Sequence, residues 1–133
     1  MKLWTSVGLI LLLTVHVTCA LALTNQANLP KYDPSMEATF TGTVDKVVEK
    51  QSTGGGGLAT HLILKLENGN AIEVHVAPTK FLKTYDLIFQ QGDKLDVIGS
   101  RVTFEGAEII LAREVRRGQD TYVFRDKDGK PVW

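Results

Sequence analysis

Apolar residues alternate with polar ones over most of the chain beyond residue 37, which is the pattern of β-strands that bury one face. β-Branched residues are frequent in the same segments and favour strands as well. One segment differs, because aromatic and aliphatic residues after Thr79 recur at helical spacing until Gly92 ends the pattern. We therefore predict five strands, with a helix between the third and the fourth, at residues 38–49, 60–66, 70–77, 94–104 and 107–115.

The second and third strands flank Glu67-Asn68-Gly69, and two loop lengths fit this spacing. A three-residue loop with Gly69 in the left-handed conformation pairs Leu66 with Asn70, whereas a two-residue turn shifts the register by one. A shift of one residue moves every side chain to the other face. Only the three-residue loop separates the residues cleanly, with Leu62, Leu64, Leu66, Ile72, Val74 and Val76 on one face and His61, Ile63, Lys65, Ala71, Glu73 and His75 on the other.

This order of elements predicts a mainly β fold, a five-stranded OB-fold-like barrel with one short helix between strands 3 and 4. Another small antiparallel barrel or sandwich with a plug helix is the alternative. The sequence also allows a further short strand at residues 121–124, and it predicts a turn at residues 126–129. Gly42 predicts a bend or bulge in the first strand, and Thr79 is a candidate helix N-cap.

Three further groups of residues have both a structural and a functional interpretation. The Gly54–Gly57 run predicts a mobile loop, because Leu58 and Ala59 follow it where a phosphate-binding loop needs Lys and Ser or Thr. The helical spacing of Phe81, Tyr85 and Phe89 places them in the core rather than on a stacking platform. Three arginines near the end of the last long strand predict a solvated, charged sheet edge rather than a phosphate contact: Arg113, Arg116 and Arg117.

The first 22 residues have the anatomy of a secretory signal peptide. Lys2 precedes the apolar run at residues 7–13, and the segment closes with Ala20-Leu21-Ala22. We predict cleavage after Ala22, with cleavage after Ala20 or retention as an anchor as the alternatives. The predicted organisation is a signal peptide at 1–22, a flexible lead-in at 23–36 and the OB-like domain at 37–133, in a periplasmic or secreted protein.

Charge and cysteine content limit the classes of partner and of chemistry that the domain is expected to have. Basic and acidic residues both number 15, and removal of Lys2 with the leader leaves 14 basic against 15 acidic residues. Nucleic-acid-binding domains usually carry an excess of basic charge, so nucleic acid is not the expected partner. The single cysteine, Cys19, lies in the predicted leader, which leaves the domain without a thiol or a disulfide.

Short motifs follow one another along the domain at Gly42-Thr43-Val44, Thr60-His61-Leu62, Ile72–Val76, Gly92–Leu95, Ile98–Val102 and Ala112–Val115, and the ending Arg125-Asp126 with Gly129–Trp133 completes the series. Their order resembles a family of small exported bacterial OB-fold-like proteins. Members are often labelled DNA-binding and are related to the OB-like domain of magnetosome-associated proteins. The resemblance implies the fold and export, and it carries no agreed activity. Some relatives join this domain to Cys-x-x-Cys-His haem-attachment motifs, which this sequence lacks, so we expect no covalent haem.

The most specific chemical feature is the pair His61 and His75, with Glu73 on the same predicted face. Directly opposed residues on neighbouring strands have Cβ atoms about 4.5–5.5 Å apart, within reach of one ion. Imidazole nitrogens with a carboxylate suit zinc, copper or nickel. We therefore predict a weak divalent-metal site at His61, His75 and Glu73. The alternative is a stacked cross-strand histidine pair without a metal.

The sequence contains no nucleophile motif such as Gly-x-Ser-x-Gly, and we do not expect an enzyme. We predict an exported, non-catalytic binding module that holds a small ligand, a metal ion or an exported partner protein on an OB-like barrel. No other cofactor is expected, and no membrane contact once the leader is removed. A single-stranded nucleic-acid-binding OB-fold protein is the alternative.

Overall fold

The computed structural model describes residues 29–52 and 54–133. The predicted signal peptide, and residues 23–28 of the lead-in, lie outside the described residues. The elements are a short 3₁₀ helix, Pro34–Met36, then strands β1 to β3, the helix α1, and strands β4 to β6. Their bounds are β1 Glu37–Gln51, β2 Leu58–Leu66, β3 Ala71–Pro78, α1 Thr79–Thr84, β4 Lys94–Phe104, β5 Ala107–Arg117 and β6 Asp120–Val123.

The six strands form one sheet in the order β3-β2-β1-β4-β5-β6, and an additional pairing between β3 and β5 closes it into a ring. The closing pair is parallel, whereas the other strand pairs are antiparallel. The predicted mainly β class, the barrel and the single helix between strands 3 and 4 are confirmed. The short strand β6 lies outside the ring beside β5, where the sequence allowed an additional strand.

The β2–β3 hairpin has the predicted three-residue loop. The amide of Leu66 donates to the carbonyl of Asn70 at 2.8 Å, and Gly69 has a φ of 84°. His61 lies opposite His75 as a result, and Leu64 lies opposite Ile72. The predicted register is confirmed, and with it the division of the hairpin into an apolar face and a polar face.

The apolar face of this hairpin lies in the barrel interior. Leu62, Leu64 and Val74 are completely buried there. Phe81 of α1 packs against this core and is partly buried. The other buried members come from all parts of the ring and the segments beside it: Val44, Ile72, Val76, Ala77, Leu82, Leu87, Phe89, Leu95, Val97, Ile110, Ala112, Val115 and Phe124.

Residues before β1 contact the barrel. The buried hydroxyl of Ser100 in β4 accepts a hydrogen bond from the amide of Asp33 at 3.0 Å and donates one to the carbonyl of Asp33 at 2.8 Å. The last part of the predicted lead-in therefore lies against β4. Within the described part of the chain, no helix is both long enough and apolar enough to cross a membrane.

Two local predictions were wrong in detail. The irregularity in β1 lies between Val44 and Lys46 rather than at Gly42. Gly42 instead allows a close approach, because a Cβ there would lie 2.5 Å from the carbonyl oxygen of Lys65. Thr79 does not cap α1, since Pro78 holds the N-cap position without a side-chain hydrogen bond. The Thr79 side chain is buried, and its hydroxyl pairs with that of Thr60 at 2.9 Å.

The prediction of a shared aromatic core face was wrong for Tyr85. The helix α1 ends at Thr84, and Asp86 has a φ of 51°, so the helical spacing does not continue through Tyr85. Tyr85 is 68% exposed, whereas Phe89 is buried in the core.

The prediction that β5 forms a sheet edge was also wrong. Its residues 109–111 pair with β3, and its residues 114–117 pair with β6, on the side opposite β4. The charged side chains of β5 bind carboxylates instead. Arg113 contacts Glu37 at 2.9 Å, Arg116 contacts Glu114 at 3.3 Å, and Arg117 contacts Asp93 at 3.1 Å.

Candidate functional site

The polar face of the β2–β3 hairpin carries the predicted site. Because side chains alternate along a strand, Glu73 and His75 project from the same face of β3, and the register places His61 directly opposite His75. The two imidazole rings stack with centroids 3.9 Å apart and planes 24° from parallel. The rings of Phe104 and His75 are nearly perpendicular, with centroids 6.2 Å apart. The structure thus brings all three predicted site residues together.

One carboxylate oxygen joins the cluster. Oε1 of Glu73 lies 2.6 Å from Nδ1 of His61, 3.4 Å from Nε2 of His75 and 2.8 Å from Nζ of Lys50. The potential ligand atoms of His61, Glu73 and His75 all lie within 4.8 Å of one another. The stacked pair predicted as the alternative is present here with a shared carboxylate.

Burial and charge set the protonation of these groups. The side chain of His75 is 17% exposed, and burial, assisted by the charges of His61 and Lys50, lowers the pKa of His75 to about 4. Burial alone would raise the pKa of Glu73, but hydrogen bonds from Lys50 and His61 outweigh it and place this pKa below its usual value. Near neutral pH the His75 ring is therefore neutral and Glu73 is ionised, and these are the forms that bind metals.

One of these separations matches that of two ligands on one ion. Ligand atoms about 2.0–2.1 Å from an ion in tetrahedral geometry are roughly 3.3 Å from each other. The Glu73–His75 separation of 3.4 Å already fits. The shorter His61–Glu73 separation is that of a hydrogen bond, and an ion would take the place of its proton. Lys50 must also leave Glu73, and its half-exposed side chain is free to do so.

The cluster opens into a cleft of about 340 Å³, the lower end of the range for small-molecule sites. His61, Glu73, His75 and Phe104 line one part of it, and Pro30, Arg125 and Trp133 also line it. Lys50, Phe104, Arg125 and Trp133 were not predicted to belong to this site. Their spacing along the chain does not place them there, because Lys50 reaches Glu73 across the β1–β2 pairing, and closure of the ring brings the other three to the cleft.

The other sequence candidates lie elsewhere. Gly55, Gly56 and Gly57 all have positive φ values in the loop between β1 and β2. Arg113 is bound on one side by Glu37 and on the other by Glu114. The guanidinium of Arg117 lies near the rings of Phe89 and Tyr122. None of these groups lines the His61–His75 cleft.

Residues 36–122 match the MamS/MamX magnetosome protein family. This segment comprises about two thirds of the chain and contains His61, Glu73 and His75, whereas Arg125 and Trp133 follow it. No match was found among curated proteins or among solved structures. The chain belongs to the MamS/MamX magnetosome protein family, and the predicted relation to magnetosome-associated proteins is confirmed.

Proposed function

We propose that this member of the MamS/MamX magnetosome protein family is an exported, non-catalytic binding module that holds a divalent transition-metal ion. The observation that carries the proposal is the approach of three potential ligand atoms, from His61, Glu73 and His75, to within 4.8 Å of one another. Two imidazoles and a carboxylate favour zinc, copper or nickel, and such a set with open positions also suits iron(II).

The ligand residues are held in place by the fold. His61 and His75 are on paired strands in a fixed register, and their side chains are 12% and 17% exposed. Ligands on rigid strands lose little conformational freedom when an ion binds, which favours affinity. The cleft leaves one side of the cluster accessible, so an ion there would have room for a further ligand.

Export and setting form the second part of the proposal. The leader supports transport across a membrane, and the family description supports a role with magnetosomes. N-terminal sequencing of protein recovered outside the cytoplasm should begin at Leu23, or at Leu21 after the alternative cleavage. An intact Met1 on protein confined to the cytosol would contradict export.

Metal binding is tested by isothermal titration of the purified metal-free protein with Zn²⁺, Cu²⁺ and Ni²⁺. We expect one site per chain, with affinity reduced at least tenfold in His61→Ala and in His75→Ala, and reduced less in Glu73→Gln. Glu108→Gln is the matched control, because Glu108 is an exposed carboxylate that pairs with Arg101 outside the site. Equal affinities in the wild type and both histidine variants would overturn the proposal.

A further inference from the structure

Arg125 lies in the same cleft with an incomplete set of partners. Its Nη1 donates to the carbonyl of Gly129 at 3.0 Å. Its Nε is buried and has no hydrogen-bond partner, and it is the one such side-chain atom in residues 29–52 and 54–133. The guanidinium lies 5.2 Å from the ring centroid of Trp133 and 5.9 Å from that of Tyr32. The aromatic contacts hold the group in position without using all of its donors.

The other arginines have carboxylate partners. Arg101 pairs with Glu108, and the three arginines of β5 contact Glu37, Glu114 and Asp93. Arg125 alone among the arginines that the structure describes has no carboxylate within 4 Å. The difference is notable because Arg125 is half-buried and faces a cavity, whereas Arg101 and Arg116 are exposed.

A desolvated cation without a counterion is costly. Burial lowers the pKa of Arg125, although a guanidinium remains charged in proteins. Two aromatic faces offset part of the cost through cation–π attraction, but they do not satisfy an N–H donor. The planar guanidinium fork matches a carboxylate, and charge-assisted hydrogen bonds of this kind are stronger than neutral ones. An anion bound in the cleft would therefore supply the counterion that Arg125 lacks.

We propose that Arg125 is the anion subsite of this cleft, and that the ligand is a small polycarboxylate that pairs one carboxylate with Arg125. A second carboxylate of the same molecule would coordinate the ion held by His61, Glu73 and His75. Only this second contact rests on the proposed function, because the anion subsite requires no metal. The cleft would accordingly take a metal chelate rather than a bare ion.

The test uses citrate as the polycarboxylate probe and isothermal titration of the purified metal-free protein. We expect citrate to bind the wild type, Arg125→Gln to lose at least tenfold in citrate affinity, and Arg125→Lys to lose less because it retains the charge. Arg116→Gln is the control, since it removes the same charge at an exposed site and should leave citrate affinity unchanged. Inorganic phosphate is the second probe, and phosphate affinity equal to that of citrate would overturn the assignment to a polycarboxylate.

A separate titration with Zn²⁺ distinguishes the two proposals. Arg125→Gln should leave Zn²⁺ affinity unchanged within about twofold. If Zn²⁺ binds and citrate does not, the anion subsite is wrong and the metal site stands. If citrate binding depends on Arg125 and Zn²⁺ does not bind, the metal site is wrong and the anion subsite stands.

Fluorescence supplies a readout that does not depend on the stability of the glutamine variant. Trp133 contacts the guanidinium, so citrate should change the tryptophan emission of the wild type, and Trp133→Phe should lose the change. Circular dichroism establishes which variants are folded. Unchanged emission at saturating citrate, or equal citrate affinity in wild type and folded Arg125→Gln, would overturn the subsite.

Discussion

Lys50 and Glu73 form an ion pair on the outer face of the barrel, with Nζ 2.8 Å from Oε1. The same oxygen is the one that approaches both histidines. Lys50 therefore competes with any cation that binds the cluster. Its attraction to Glu73 also keeps the carboxylate ionised in the metal-free protein.

Replacing Lys50 with Met should tighten metal binding. The substitution frees the Glu73 oxygen and removes a positive charge beside the site. A half-exposed ion pair contributes about 0.2–1 kcal/mol, so the gain in affinity should be roughly 1.4- to fivefold. Lys46→Met on the same strand is the control, because Lys46 is exposed and has no contact with Glu73 among the described ion pairs. Weaker binding by Lys50→Met, measured by titration calorimetry, would contradict this competition.

Leu64→Ala should reduce the free energy of unfolding by about 2–5 kcal/mol, because truncating a buried leucine loses apolar burial and leaves a cavity. Leu64 is completely buried in the barrel. Ile63→Ala is the matched comparison, since Ile63 adjoins it on the opposite, half-buried face and should cost less. Urea denaturation measures both. A loss below about 0.5 kcal/mol for Leu64→Ala, the range of surface sites, would be inconsistent with the packing.

Gly42→Ala should also destabilise the barrel, for a backbone reason. A Cβ at this position would meet the carbonyl oxygen of Lys65 at 2.5 Å, and strand separation would have to increase. Overpacking of this kind costs about 1–3 kcal/mol. Gly54→Ala is the control, because a Cβ there would make only ordinary contact with Leu29. Equal thermal midpoints for the two variants would show that the sheet accommodates the extra atom.

The Glu37–Arg113 pair should make the barrel sensitive to acid. Hydrogen bonds from Arg113 and Tyr32 lower the pKa of Glu37, so the folded state binds this proton less readily than the unfolded state. The stabilisation is complete above the ordinary carboxyl pKa of 4.5 and is lost as pH falls below it. Glu37→Gln should therefore flatten the fall in unfolding free energy as pH drops below 4.5, by on the order of 1 kcal/mol for this partly exposed pair. Parallel denaturant titrations across this range measure the difference, with Glu108→Gln as a carboxylate control. If the unfolding free energy of the Glu37 variant fell just as steeply at low pH, the pH dependence would come from other groups.

The sequence predicted the proximity of His61, Glu73 and His75 because the three residues lie in one hairpin. Alternation determines which face each side chain occupies, and the three-residue loop determines that His61 faces His75. Side-chain alternation and loop length are both local properties that can be predicted from the sequence. Lys50 reaches the cluster across a strand pairing, and Arg125 reaches the cleft only after the ring has closed. Neither position follows from spacing along the chain.

Three incorrect predictions concern residues near the ends of elements. Helical spacing placed Tyr85 in the core, but the helix ends one residue earlier, and Asp86 then has a φ of 51°. The sequence predicted a sheet edge at β5 because its pairing with β4 is local. The pairings of β5 with β3 and β6, on the side away from β4, are not visible in the sequence. Similarly, threonine is a residue type that often caps helices, but the Thr79 hydroxyl is hydrogen-bonded to the buried hydroxyl of Thr60 instead. Local patterns thus predicted the strands, whereas long-range contacts determined which strands pair with β5 and which group binds the Thr79 hydroxyl.

The order in which the ring assembles has a kinetic consequence. His61, Glu73 and His75 come together when a hairpin with a three-residue loop forms, whereas closure of the barrel pairs Glu73 with Ile109, 36 positions further along the chain. Closing a short loop costs less chain entropy than closing a long one, and hairpins form within about 1–10 μs. We therefore expect the cluster of His61, Glu73 and His75 to form on the folding pathway before the barrel closes. An ion bound at the proposed site at that stage would hold β2 and β3 together until β3 pairs with β5, so metal in the refolding buffer should accelerate folding as well as delay unfolding.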